Sequence, residues 1–199
     1  SGLDVEDIVL EPLSSSQAVL SPDEQEVGVV LVDIGGGTTD ITIYSEGSIV
    51  HTAVLALGGN HLTHDIAIGL GAPLHEAEEI KHNFGVAMSS MVKEDEMIDV
   101  PSVGGRNNRT MKKRVLASII EDRFREIFEL ITHEIEKTHF HTLMASGVVI
   151  TGGTCIMPGA DRLASQVLNL PVRVGYPENI GGLREMIYSP KYATSVGLV

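Results

Sequence analysis

Residues 29–44 read VVLVDIGGGTTDITIY, and the reading of the whole chain turns on them. Two apolar runs, Gly28–Val32 and Thr39–Tyr44, flank the linker Asp33-Ile34-Gly35-Gly36-Gly37-Thr38. Alternation through Thr39–Tyr44 predicts a half-buried strand, whereas the unbroken run VVLV predicts one buried on both faces. Three consecutive glycines are entropically costly, and a plain hairpin needs only one or two such residues. What they supply is backbone free of Cβ atoms, able to close main-chain N–H groups around an anion. Asp33, ending the first strand, would face the same anion and suits an Mg²⁺ ion held through water. A hairpin with a glycine-rich turn and an incidental aspartate is the rival reading.

Outward from this stretch, the pattern alternates strands and helices. On the N-terminal side, Ile8–Leu10 is a short strand candidate stopped by Glu11-Pro12, and Ser14–Leu20 can form a helix with Ser14 as cap. The polar run Ser21–Glu26 ends it. On the other side, Ser48–Leu57 reads as a third antiparallel strand broken by Gly58-Gly59-Asn60. Leu62–Gly69 and Leu74–Phe84 read as helices, the second ended by Gly85. Met97–Val100 is a short strand before Pro101, and Gly104–Asn108 a loop. The strongest helix is Val115–Thr138, where Leu116, Ile119, Ile120, Phe124, Ile127, Phe128, Ile131 and Ile135 draw one apolar stripe. Gly147–Thr151 is a buried strand, Ala160–Leu168 a helix, Val172–Val174 a strand and Tyr192–Val199 a terminal helix. The sum is an α/β domain with an inserted, mostly helical α+β subdomain at about 62–140.

Composition narrows the function classes. No apolar run approaches the ~20 residues of a spanning helix, and the single cysteine, Cys155, excludes an internal disulfide framework and fits a reducing, cytoplasmic setting. The net charge of −13 is segregated: residues 1–80 hold fourteen Asp or Glu and no Lys or Arg. All fourteen basic residues lie in 81–199, seven of them between Arg106 and Arg125. This argues against nucleic acid as a partner and for one local basic surface able to meet an acidic peptide, with a solvated loop and helix face as the alternative. The histidines, including His61, His64, His75, His82 and the pair His139/His141, show no convincing metal spacing.

Taken together, these pieces resemble the second half of the actin-like ATPase fold, the ribonuclease H-like domain of actin, sugar kinases and seventy-kilodalton heat-shock chaperones. Val32–Asp40 (VDIGGGTTD) is similar to the second phosphate loop of that superfamily, and Val149–Gly159 (VITGGTCIMPG) to its adenosine loop. Glu11-Pro12 before a helix is similar to the strand end that orients the attacking water. Within the superfamily the chain resembles FtsA, the bacterial division proteins that tether FtsZ filaments to the membrane. The carrying residues are Val100–Arg106 (VPSVGGR), Gly71–Lys81 (GAPLHEAEEIK), Asp40–Tyr44 and Tyr192–Leu198. The alternative readings are a chaperone-like or pilus-assembly ATPase of the same superfamily.

The resemblance implies three regions: a lead-in strand and helix at 1–27, subdomain IIA at 28–61 and 141–199, and the partner-binding subdomain IIB at 62–140. It implies a fragment, since no first phosphate loop precedes these motifs and no amphipathic membrane helix follows them. It implies ATP and Mg²⁺ as cofactors. Asp33 would hold the metal through water, and Gly35, Gly36, Gly37, Thr38 and Thr39 would donate to the phosphates. Gly59 and Asn60 would approach ribose and phosphates, Lys81 the purine, and Gly152, Gly153, Thr154 and Met157 the adenosine. Glu11, with Gln17 ranked second, would position the catalytic water, or be simply an exposed strand-end acid. The FtsZ C-terminal tail would dock on the basic set of the insert, chiefly Arg106, Arg123 and Arg125. Self-association, membrane attachment through a C-terminal helix, and a place at the inner membrane face of the division site are implied for the whole protein, with at most weak ATPase activity.

Overall fold

The computed structural model describes residues 4–104, 107–138, 145–178 and 184–199. In chain order the elements are α1 (Glu11–Val19), α2 (Pro22–Val27), β1 (Val29–Ile34), β2 (Thr39–Ser45), β3 (Ser48–Leu55), α3 (Gly59–Leu70) and α4 (Leu74–Phe84). There follow β4 (Met97–Val100), β5 (Arg109–Lys112), α5 (Lys113–Lys137), β6 (Val148–Thr151), α6 (Ala160–Leu168), β7 (Val172–Val174), α7 (Arg184–Ile187) and α8 (Ala193–Gly197). Single 3₁₀ turns lie at Ser89–Met91, Thr154–Ile156 and Pro190–Tyr192. This is a mixed α/β fold built on one five-stranded sheet of order β3-β2-β1-β6-β7, with β4 and β5 as a separate two-stranded ribbon.

β1 is central, antiparallel to β2 and parallel to β6. Its side chains alternate between two cores, as the period of a strand requires. Val30, Val32 and Ile34 join the larger core with α3, α5 and α6, while Val29 and Leu31 join a smaller one with Ala18, Val19 and Ala193. The apolar stripe of α5 is buried in the larger core, with Phe124 and Phe128 stacked at 5.7 Å between ring centroids.

Several local expectations are corrected. Ile8–Leu10 is not a strand: it has no ladder partner among the described residues, and Ile8 and Leu10 stand in solvent. Glu11 therefore opens α1 instead of closing a strand, and Pro12 occupies the first helical turn, where its missing N–H costs nothing. Ser14 is buried inside that helix and does not cap it. The helix before Ser21–Glu26 does end there, at Val19, but the polar run itself forms a helix that was not expected: Ser21 caps α2 through a reciprocal capping box with Glu24. The Ser-x-x-Glu spacing that signals such a box was present in the sequence. β3 ends at Leu55, before Gly58-Gly59-Asn60 as expected, but α3 begins at Gly59, three residues ahead of the expected Leu62. β5 was unforeseen, because Arg109–Lys112 is polar and pairs only through β4.

Candidate functional site

Because β1 and β6 run parallel, their C-terminal ends open at the same edge of the sheet, with Asp33 paired in register to Thr151. Open α/β sheets bind ligands outside this edge. The glycine-rich linker after β1 and Gly152-Gly153-Thr154 after β6 thus meet, and Thr154 Oγ1 donates to the Gly35 carbonyl at 2.9 Å. The start of α3 is docked onto the same linker: the Gly59 and Asn60 N–H groups donate to the Gly35 and Gly36 carbonyls at 2.9 and 2.7 Å. A Cβ on Gly58 would stand 2.7 Å from the Gly35 oxygen, which is why a side chain there is excluded.

These segments enclose a cleft of about 570 Å³, with Gly36, Gly59, Asn60, Lys81, Gly153, Thr154 and Met157 among its walls. Lys81 is 9% exposed. Its Nζ donates to the Gly59 carbonyl at 3.0 Å, Thr63 Oγ1 at 2.8 Å and Glu78 Oε2 at 2.7 Å, tying α4 to the start of α3. Burial acts to raise the Glu78 carboxyl, but hydrogen bonds from Lys81 and Thr63 outweigh it and hold the group below its ordinary value.

Asp33, Gly35, Gly37, Thr38, Thr39 and Gly152 lie behind or beside this cleft instead of on its walls. Asp33 is 6% exposed and points to the α1/α8 side, where its Oδ2 accepts from Ser15 Oγ at 2.6 Å. Burial pushes its carboxyl up, with the facing Asp40 adding to the rise against the Ser15 hydrogen bond. The Thr39 hydroxyl is spent on the Leu57 carbonyl at 2.8 Å, while Thr38 is exposed and donates to Asp40. Glu11 is exposed near the same acids: partial burial raises its carboxyl first, then Asp40 and Asp33. Gln17 is exposed on α1.

The glycine backbone fits an anionic ligand, with open space beside Gly37 where a Cβ would meet nothing within 4 Å, whereas the three protons of the Lys81 ammonium are taken by Gly59, Thr63 and Glu78. For Mg²⁺ the fit is of one kind only. No group of three His, Cys, Asp or Glu able to hold a metal occurs among the described residues. One carboxylate beside a phosphate site suits an ion that keeps its waters and takes its other ligands from phosphates.

The expected partner residues lie apart. Arg106 is outside the described residues. Arg123 is held across to α3 by a two-point pair with Asp65, Nε–Oδ2 2.6 Å and Nη2–Oδ1 3.0 Å, and also meets Glu126. Arg125 pairs with Glu121 at 3.1 Å, one helical turn away, and stays 44% exposed.

Sequence reading missed Glu78, His82, Gly85, Ile156, Pro158 and Lys191 on the cleft walls. Glu78 was detectable, because at three residues before Lys81 it shares a helix face. Lys191 carries no such signal: it arrives through the Pro190 carbonyl, which accepts from Gly152 N–H at 3.3 Å. Cys155 is buried, and burial pushes its thiol far above the ordinary range, so it serves packing. His61 is used locally, its Nδ1 accepting from the Gly58 N–H at 3.2 Å. Among the described residues no helix is long and apolar enough to cross a membrane.

The model of the family "Cell division protein FtsA" matches residues 30–197 of this chain. The chain is 46% identical over 198 residues to cell division protein FtsA of Pseudomonas aeruginosa and 42% identical over 205 residues to that of Escherichia coli K12. Each alignment covers all of this chain and 48% or 49% of the relative, so the chain spans about half the length of the curated relatives it matches. In three dimensions it is similar to MreB5 of Spiroplasma citri bound to ADP, with TM-score 0.77, 21% identity, and coverage of 99% of this chain and 60% of that one. It is also similar to a PilM–PilN type IV pilus biogenesis complex, with TM-score 0.71, 17% identity, and coverage of 97% and 52%. At these identities the solved structures report the fold alone, which is the actin-like one.

Proposed function

Because this chain belongs to the FtsA family of cell division proteins, we propose that its cleft is one half of an ATP site in a protein that links FtsZ filaments to the membrane at the septum. The observation that carries this reading is the convergence on one cavity of the glycine linker, the start of α3, Lys81 of α4 and the Gly153-Thr154 turn. Lys81, Met157 and Gly153-Thr154 flank the purine, Gly59 and Asn60 approach the ribose, and backbone N–H groups of Gly36–Thr38 meet the β- and γ-phosphates, the Gly35 N–H being turned to the Thr38 carbonyl at 2.9 Å. Asp33 would hold Mg²⁺ through water, the ion supplying charge neutralisation at the phosphates, and Glu11 would orient the attacking water. Thr39 contributes through its backbone, its hydroxyl being turned to Leu57. The exposed part of the α5 basic set receives the acidic FtsZ tail, a charged peptide on a helical surface. Self-association and membrane attachment belong to the whole protein.

The test is calorimetry of ATP binding, with and without Mg²⁺, on the whole protein carrying Asp33→Asn. This change keeps an acceptor for Ser15 and removes the charge. Binding with Mg²⁺ should weaken by about tenfold or more, on the order of 1.4 kcal/mol, while binding in chelator is unchanged. Equal affinity of variant and wild type in Mg²⁺ would reduce Asp33 to a structural acid and remove the phosphate assignment.

A further inference from the structure

The five-stranded sheet has two edges, and they are treated differently. β7 is three residues long, follows Pro171, and carries Arg173, which is tied to Glu24 at 2.7 Å and to the Val19 carbonyl at 2.8 Å. Short length, proline and an edge cation are the devices by which natural sheets prevent further pairing. β3 has none of these three, and its one irregularity is the register shift between Ile43 and Tyr44, which leaves Val50 without a partner on β2. Its eight residues, SIVHTAVL, contain no Pro, Lys, Arg, Asp or Glu. Among the described residues its backbone makes no hydrogen bond outside the ladder with β2. Its outward face alternates Ser48, Val50, Thr52 and Val54, all exposed, with Val54 at 62%. At ~3.3 Å per residue this edge offers about 26 Å of unpaired main chain.

We propose that β3 is a docking edge for an extended segment of a partner protein that alternates β-branched residues and carries basic residues at both ends. Main-chain pairing would supply the affinity, and the Val50/Val54 surface would select small apolar side chains. Charge selects the ends. Beside Ser48, Glu46 donates its N–H to the Glu26 carbonyl, and the Glu26 carboxylate lies 3.1 Å from where a Gly47 Cβ would stand. At the other end, Asp40 is the register partner of Val54. No Lys or Arg occurs in residues 1–80 to neutralise these acids. α5 approaches β3 through Glu134, which lies 3.8 Å from His51, and Lys137 on that helix is paired with Glu134 at 2.5 Å. A second copy of this chain, paired antiparallel, would bring Glu26 and Glu46 of each copy toward Asp40 of the other, so like charges oppose that occupant. The edge is separate from the nucleotide cleft and does not depend on that assignment.

The test uses the full chain and a labelled peptide of about eight alternating valines and threonines with lysines at both ends, matched to the strand length. Anisotropy should show binding that falls as salt is raised, and hydrogen exchange should slow at the amides of residues 48–55. The V50K/V54K variant alters only exposed side chains and should weaken binding by about tenfold or more, with its thermal unfolding unchanged. Equal binding of a peptide with glutamates at its ends overturns the proposal, as does binding without protection of residues 48–55. Sedimentation showing a dimer that protects the same strand overturns it in favour of a second copy.

Discussion

Gly152→Ala tests whether the two loops of the site are held rigidly together. Gly152 follows β6 with φ +90°, in the region that L side chains rarely adopt. An alanine Cβ there would lie 2.4 Å from Asp33 Oδ1 and 2.5 Å from the Ile34 carbonyl oxygen. Neither neighbour can retreat cheaply. Ile34 is backbone of the central strand, and Asp33 is pinned by Ser15 at 2.6 Å. The positive φ costs roughly 1–2 kcal/mol, and overpacking against fixed atoms roughly 1–3 kcal/mol more. The expected loss is thus about 2–5 kcal/mol, or a Tm lower by about 4–20 °C for a chain of this size. Gly37→Ala is the control, since its Cβ meets nothing within 4 Å and its φ lies outside the positive range. It should shift stability by no more than about 0.5 kcal/mol. Urea unfolding and calorimetry on both variants give the comparison. If Gly152→Ala unfolds at the same midpoint as Gly37→Ala, the close approach of the β6 end to Asp33 is not a constraint, and the geometry drawn around Asp33 fails.

Lys81→Met should cost about 2–4 kcal/mol at neutral pH, because it removes charge-assisted hydrogen bonds to Gly59, Thr63 and Glu78. Glu78 is held below its usual 4.5, so its share of stability is present above that value and is lost as pH falls through the lowered one. Urea melts should therefore show wild type and variant converging in acid, and a constant gap across pH would contradict the ion pair. Arg123→Glu should destabilise the protein, because it sets a carboxylate against Asp65 and Glu126, whereas Arg125→Glu should leave thermal unfolding nearly unchanged. An FtsZ-tail peptide followed by anisotropy should lose affinity with Arg125→Glu, and unchanged affinity would move the docking surface off this face of α5. Cys155, 2% exposed with its thiol pushed far up, should react with iodoacetamide only as fast as the protein unfolds. Rapid labelling under native conditions would show that the adenosine-side loop opens locally.

Elements whose burial repeats with the period of one strand or helix were legible without the structure. VVLV formed β1, Leu74–Phe84 and Ala160–Leu168 formed helices within those bounds, and the stripe from Leu116 to Ile135 formed the buried face of α5. Thr39–Tyr44 formed β2, but buried on both faces instead of half-buried, because α1 covers its second face, where the Tyr44 hydroxyl donates to Ser16 Oγ. The glycine run and the Gly152-Gly153-Thr154 turn were visible as sites of close backbone approach, since glycine has few other reasons to cluster. What needed the tertiary structure was every property set by a neighbour distant in sequence. Whether Asp33 faces the cleft or the α1/α8 side depends on Ser15, eighteen residues away. Whether Arg123 is free for a partner depends on Asp65, fifty-eight residues away. Lys191 enters the cleft only because α8 packs back against α1. Periodicity records which side of an element is apolar, because burial is non-directional and sums along the chain. A hydrogen bond or ion pair depends on direction and distance at one point, and those exist only once the distant segments have been brought together.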